Sequence, residues 1–194
     1  MNLRIEQDRR LRRIALAAPE KRNLLDAAMC QDLLRELRDA AADASVGAIL
    51  IEADGPAFCT GIDLDAGEEL FTIGRRISKP LVAAVQGFAV SGGVALLASA
   101  HVVVAAQGSS FGLTDIREGI WNEPIYRAVA NAIGERRTLE LSLTGRIFST
   151  PDALAWGLVH MVAPAFELDD RASEIGNALA CANPQAVRAA LRYS

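Results

Sequence analysis

The chain has 194 residues, with 20 basic against 24 acidic side chains and 51% hydrophobic residues, a balance that excludes disorder and collagen-like repetition. At this length roughly 70% of the unfolded surface can be buried, so neither disulfide nor metal is needed to hold a core. The net charge of −4 argues against a nucleic-acid surface, which needs a basic stripe to displace counterions from phosphates. The one basic cluster, Arg9, Arg10, Arg12 and Arg13, adjoins Glu6 and Asp8 and reads as the wet side of a hairpin. Cys30, Cys59 and Cys181 form no CxxC pair, so neither a disulfide framework nor a zinc ribbon is expected. With no apolar run and small-residue cleavage site behind the N-terminal charges, a cytoplasmic location is expected.

In chain order, LRIEQDRRLRRIAL alternates apolar and polar residues around a charged turn, as a hairpin does. From Asp26, a natural N-cap, to Ala44 the residues Met29, Leu33, Leu34 and Leu37 recur at spacings of three and four, which predicts an amphipathic helix. Val46 to Ala53 reads as a buried parallel strand. Strand, glycine loop and helix then follow one another twice, through Gly55–Leu64 and through Gln86–Leu97, predicting an α/β fold of βαβ units in one domain, residues 1–194. Residues 81–106 are apolar for longer than a membrane helix requires, but Gln86, Gly87, Ser91, Gly92, Gly93 and His101 interrupt them. They read as strand, loop, helix and strand of a soluble core, so no membrane association is expected.

Beyond Gln107 the pattern predicts a short strand around Phe111, helices at Ile125–Ile133 and Glu135–Leu143, and a helix begun by Ser149, Thr150 and Pro151 and ended by Gly157. A strand at Leu158–Pro164 and helices over Leu168–Ala182 and Pro184–Tyr193 complete the chain.

A helix start leaves backbone N–H groups without partners and favours negative charge. Should the turns at Gly61–Ile62 and Ser91–Gly92–Gly93 face each other, two such donors converge on one oxygen, the arrangement that stabilises an enolate or tetrahedral oxyanion. Tight strand-to-helix packing alone would also explain these glycines.

The segments PEKRNLLDAAM (19–29), GPAFCTGIDL (55–64), KPLVAAVQGFAVSGGVALLASAHVVVAA (79–106), SSFGLTDIREGI (109–120) and LTGRIFSTPDALAWGLVHMVAP (143–164) together resemble the crotonase, or enoyl-CoA hydratase/isomerase, family in its own order. The resemblance implies a ββα superhelix with the C-terminal helices truncated, and an acyl-CoA substrate whose carbonyl oxygen lies between the N–H groups of Ile62 and Gly92. It further implies substrate or coenzyme A contacts from Lys21, Arg22, Leu24, Thr60, Gly61, Asp63, Leu64 and Gly93, and no cofactor beyond coenzyme A itself. A homotrimer or hexamer is implied, or a partner subunit that closes the site.

Three departures bear on the chemistry. Ala95 stands where hydratases resembling this chain carry one glutamate, while Asp115 keeps a carboxylate at the second position, like the single-acid isomerases of the family. Glu123, in GIWNEP, aligns with a catalytic aspartate of dienoyl-CoA isomerases and of dehalogenases of aromatic CoA thioesters. Only 15 residues separate Asp63 from Lys79, where relatives carry an extra covering helix. The leading expectation is enolate stabilisation with Asp115 as proton carrier, in double-bond isomerisation or a related lyase or hydratase step. The alternatives are a non-catalytic binding or assembly subunit, and dehalogenase-like or hydrolase-like chemistry through Glu123. His101 and His160 are expected to be packing or surface residues, Cys59 a packing residue, and Trp121, which could wall an acyl pocket, a core residue.

Overall fold

The computed structural model describes residues 2–63 and 67–193. Strands β1 (Leu3–Asp8) and β2 (Leu11–Leu16) form the expected antiparallel hairpin, its tight turn set by the positive φ of Arg9. Helix α1 (Ala27–Ala42) starts at Asp26, whose carboxylate accepts from the Met29 N–H, and buries Met29, Cys30, Leu33 and Leu37. Strand β3 (Ala48–Ala53) then pairs in parallel with β2.

A 3-10 helix at Leu70–Arg75 precedes β4 (Leu81–Val85), β5 (Phe88–Val90) and α2 (Gly92–Ser99). The first strand–loop–helix unit therefore ends in a 3-10 turn among the described residues, not in the α-helix that the pattern predicts. After β6 (Val102–Ala106) and β7 (Ser110–Gly112) come a 3-10 helix over Asp115–Glu118, α3 (Glu123–Ile133), α4 (Glu135–Thr144) and β8 (Ile147–Ser149). The chain continues through α5 (Thr150–Trp156), β9 (Met161–Ala163), α6 (Leu168–Cys181) and α7 (Pro184–Ala190). Ser149 and Asp152 form a reciprocal capping box at the start of α5, and Gly157 ends that helix in the left-handed region.

The main sheet has the order β1-β2-β3-β4-β6-β9, parallel throughout except for the hairpin. Side-chain alternation divides its residues between two cores. Ile14, Leu16, Ile49, Ile51, Val85 and Val103 join α1 and α2 in the larger core, and Leu11, Leu50, Val82 and Val104 lie under α6 in the smaller. Each of these large aliphatic side chains contributes about 1.5–3 kcal/mol on burial. A second sheet, β5-β7-β8, is extended by a bridge between Cys59 and Ala89, which ties the loop after β3 to the strand before α2.

Within the basic cluster the hairpin reading needs one correction. Arg12 and Arg13 are half-buried braces: Arg12 pairs with Glu36 on α1, while Arg13 pairs with Glu52 on β3 and with Asp169 on α6. The apolar stretch 81–106 forms β4, β5, α2 and β6, and no described helix is long and apolar enough to cross a membrane.

Candidate active site

Planarity of the peptide bond sets the direction of two N–H groups. In a trans peptide the C=O and the following N–H point in opposite directions, so whatever holds the carbonyl also aims the amide. The Gly61 carbonyl accepts from the Leu25 N–H at 3.1 Å and from the Cys59 thiol at 3.3 Å. The Ile62 N–H is thereby turned away from both, and it makes no hydrogen bond among the described residues. Its loop is pinned on the other side as well, because the Asp63 N–H donates to the Leu25 carbonyl at 3.1 Å.

The second plane is held by helix α2 itself. The Ser91 carbonyl accepts from the Ala95 N–H at 3.1 Å, so the Gly92 N–H points out of the helix start, where no intrahelical partner exists. Ser91 has φ 50° and ψ −107°, a sparsely populated conformation for a residue with a Cβ, and strain of this kind collects at functional sites. The two turns face each other as expected. A Cβ built on Gly92 would lie 2.7 Å from the Ile62 Cβ and 3.4 Å from the Gly61 carbonyl oxygen, so only glycine allows this approach.

Both planes border one cleft of about 380 Å³, lined by Leu24, Thr60, Gly61, Ile62, Asp63, Ser91, Thr114, Asp115, Glu118 and Ile120. Leu24, Thr60, Gly61, Asp63 and Asp115 therefore come together around the donors. Lys21 and Arg22 lie exposed in the neighbouring turn, and the Thr60 hydroxyl donates to the Arg22 carbonyl at 3.3 Å, joining that turn to the cleft rim. Asp115 and Ile120 also line a small inner cavity with Leu113, Trp121, Ile125 and Tyr126. Trp121 is thus no core residue: it is half exposed and packs on Tyr126 at a ring separation of 5.3 Å. A separate cavity of about 300 Å³, between Phe71, Arg75, His101 and His160, borders neither donor.

Other expected residues fall elsewhere. Glu123 opens α3 on the outer surface, where its carboxylate accepts from Arg127 at 2.6 and 2.8 Å, and it lines neither the cleft nor the inner cavity. Gly93 lies behind the site, where a Cβ would meet the Cys59 carbonyl oxygen at 2.6 Å, so it serves packing. Leu64 lies outside the described residues. Ala95 is fully buried in α2.

His101 and His160 play one structural role in successive layers. Nδ1 of His101 accepts from the Leu81 N–H at 2.9 Å, and Nδ1 of His160 accepts from the Val103 N–H at 3.0 Å. As acceptors both rings carry no proton on Nδ1, the Nε2 of His101 is buried without a hydrogen-bond partner among the described residues, and burial lowers both pKa values. Burial raises the thiols of Cys59, to about 12, and Cys30, to about 11, so neither is a thiolate nucleophile. Among the described residues no group of three or more His, Cys, Asp or Glu side chains could hold a metal ion.

Three residues of the site escape a reading of motifs: Ser91 as a strained hinge, Cys59 as a donor and Glu118 as a cleft carboxylate. A non-glycine residue before a glycine pair hints at the first. The others depend on contacts made only by folding.

The family model described as enoyl-CoA hydratase/isomerase matches residues 6–193. Mevalonyl-coenzyme A hydratase sidH of Aspergillus fumigatus is 30% identical over 197 residues, covering 90% of this chain and 71% of its own. Hydroxycinnamoyl-CoA hydratase-lyase of Pseudomonas fluorescens is 28% identical, with coverages of 91% and 72%. The crystal structure of human enoyl coenzyme A hydratase domain-containing protein 3 superposes with a TM-score of 0.91 at 28% identity, over 98% of this chain and 82% of that one. Enoyl-CoA hydratase of Mycobacterium tuberculosis superposes at 0.88 with 31% identity, over 100% and 88%. The chain has the crotonase fold and belongs to the enoyl-CoA hydratase/isomerase family.

Proposed function

We propose that the cleft binds an acyl thioester of coenzyme A with its carbonyl oxygen between the Ile62 and Gly92 N–H groups, and that Asp115 moves a proton at the α-carbon. The observation that carries this reading is the convergence of two partnerless N–H groups and Asp115 on one cleft. When Asp115 removes the α-proton, negative charge develops on the thioester oxygen. Donors already aimed there stabilise that charge without reorganising, a contribution of roughly 3–4 kcal/mol for one such donor.

That two relatives are a mevalonyl-CoA hydratase and a hydroxycinnamoyl-CoA hydratase-lyase supports a CoA thioester as substrate. Lys21 and Arg22 supply positive charge at the rim for the phosphates of coenzyme A, and the cleft beside Ile120 receives the start of the acyl chain. Proton transfer needs no further cofactor. Leu139 and Leu143 expose apolar surface on α4, which supports further copies covering this side in a homotrimer.

Dehalogenase-like chemistry through Glu123 draws no support from its place on the outer surface. The test is exchange of α-protons of a saturated acyl-CoA in deuterium oxide, followed by mass spectrometry, with binding measured by calorimetry. Wild type is expected to exchange, and Asp115→Asn to lose at least about 100-fold while still binding. Unchanged exchange in the variant would overturn the role of Asp115, and binding without exchange by wild type would establish a non-catalytic subunit.

A further inference from the structure

Adding water across an α,β double bond takes two proton-handling groups, one to accept a proton from the attacking water and one to deliver a proton to the α-carbon. A methyl group at Ala95 can do neither. Asp115 accounts for one role, and the fold provides a carboxylate for the other at a position that no motif marks.

Asp115 and Glu118 are the first and last residues of one 3-10 helix. At three residues per turn, side chains three apart eclipse, so both project from the face of that turn that lines the cleft. Arg117, between them in sequence, turns away and lies against Gly145, where a Cβ would meet its Cγ at 3.0 Å. Neither Asp115 nor Glu118 makes an ion pair or side-chain hydrogen bond among the described residues. Glu36, Glu52, Glu69, Glu123 and Glu140 are each matched to an arginine, while Glu20 and Glu135 are, like Glu118, unpaired among the described residues but line no cleft with the two donors. Two carboxylates without cations, on one face of one turn, are not a salt-bridge surface.

Depth separates their roles. Asp115 is half-buried and also lines the small inner cavity, whereas Glu118 lines the cleft alone and is exposed to solvent. Asp63, the third carboxylate of the cleft, lies toward α1, close enough for its charge to act on the Cys30 thiol.

We propose that Glu118 is the second catalytic carboxylate, which activates the water that adds to the β-carbon of an enoyl thioester. Glu118, ionised, takes a proton from water, and the water oxygen bonds to the β-carbon. The π pair shifts through the α-carbon to the thioester oxygen, forming the enolate held by Ile62 and Gly92. Asp115, protonated, then delivers its proton to the α-carbon. The product is a 3-hydroxyacyl thioester, and Glu118 returns a proton to solvent as Asp115 regains one. No oxidant or reductant takes part.

This inference rests on the proposed oxyanion site and Asp115, and one pair of assays separates the two. Hydration of a short 2-enoyl-CoA is followed by loss of the conjugated absorbance, and α-proton exchange of the saturated acyl-CoA by mass spectrometry, because exchange needs Asp115 but not Glu118. Glu118→Gln is expected to lose about 100-fold or more in hydration with exchange changed less than about threefold, and Glu118→Asp to recover part of the loss. Hydration at the wild-type rate in Glu118→Gln overturns the inference, as does a wild type that exchanges without hydrating. Equal loss of both activities in Glu118→Gln overturns the division of roles. A wild type that does neither overturns the underlying site reading and this inference with it.

Discussion

The N–H donors at the base of the cleft are backbone groups held from behind, whereas two of its three carboxylates, Asp115 and Glu118, are side chains on a single 3-10 turn. At the base, the Gly61–Ile62 plane is fixed by Leu25 and Cys59, and the Ser91–Gly92 plane by the first turn of α2. At the lip, Asp115 and Glu118 have no side-chain partners among the described residues, and only the turn sets their direction. The base is thus specified by packing that tolerates no added atom, and the lip by the choice of side chain at two positions. Substitutions at the base should disturb every reaction of the site, while those at the lip should divide one reaction from another.

The severest break of that contrast is Gly92→Ala. A methyl at 2.7 Å from the Ile62 Cβ forces the two turns apart and spoils both donors. Exchange and hydration are expected to fall together by about 10²–10³, read from the same pair of assays. Separate responses would show that the donors do not act on one oxygen.

Cys59→Ala is a milder probe of the base. It removes one of two donors to the Gly61 carbonyl and leaves the Leu25 N–H, so a loss of about fivefold is expected, the worth of one neutral hydrogen bond of about 1 kcal/mol. Cys59→Ser restores a donor and should recover activity. The carbonyl stretch of bound thioester, read by infrared difference spectroscopy, should shift toward its free value in the alanine variant alone.

The sequence made the base partly legible because its determinants are local. Glycines at a strand-to-helix turn announce close approach, and the family resemblance is what singles out Ile62 and Gly92 as the facing positions. Cys59 reads only as a packing residue, since its bond to Gly61 exists only once the loop has closed against Leu25. At the lip, Glu123 carries the familiar motif but is drawn to the surface by Arg127, one helical turn on. Glu118 has no motif, and the eclipsing of a 3-10 turn brings it to the cleft. In the fold, β5 and β8 span three residues each, and both are fixed as strands by pairing with β7. The layered repetition marked by His101 and His160 resides in backbone pairing and leaves no repeat in the residues.

Those histidines offer a test away from the cleft. Burial holds the His101 pKa below its ordinary 6.5, so below that pH the unfolded chain takes up a proton that the folded chain refuses. The stabilisation is complete above about pH 6.5 and is lost as pH falls, and His160 contributes in the same sense. The melting temperature should therefore drop between pH 7.5 and 5.5. It should drop less in His101→Asn, whose side-chain oxygen can accept from Leu81 in place of Nδ1 but takes up no proton. An equal drop in both proteins would place the acid sensitivity elsewhere.

Glu123→Gln should have the smallest effect. Its pair with Arg127 is exposed to solvent, which screens such i, i+4 pairs, so stability should barely change. Hydration and exchange should also remain close to wild type, because the side chain lines neither the cleft nor the inner cavity. Turnover with each assay substrate gives the measurement. A large loss confined to turnover would mean that the start of α3 swings inward when substrate binds, and that the lip then includes a third carboxylate. Retained turnover leaves the proton chemistry to Asp115 and Glu118, on one face of one turn.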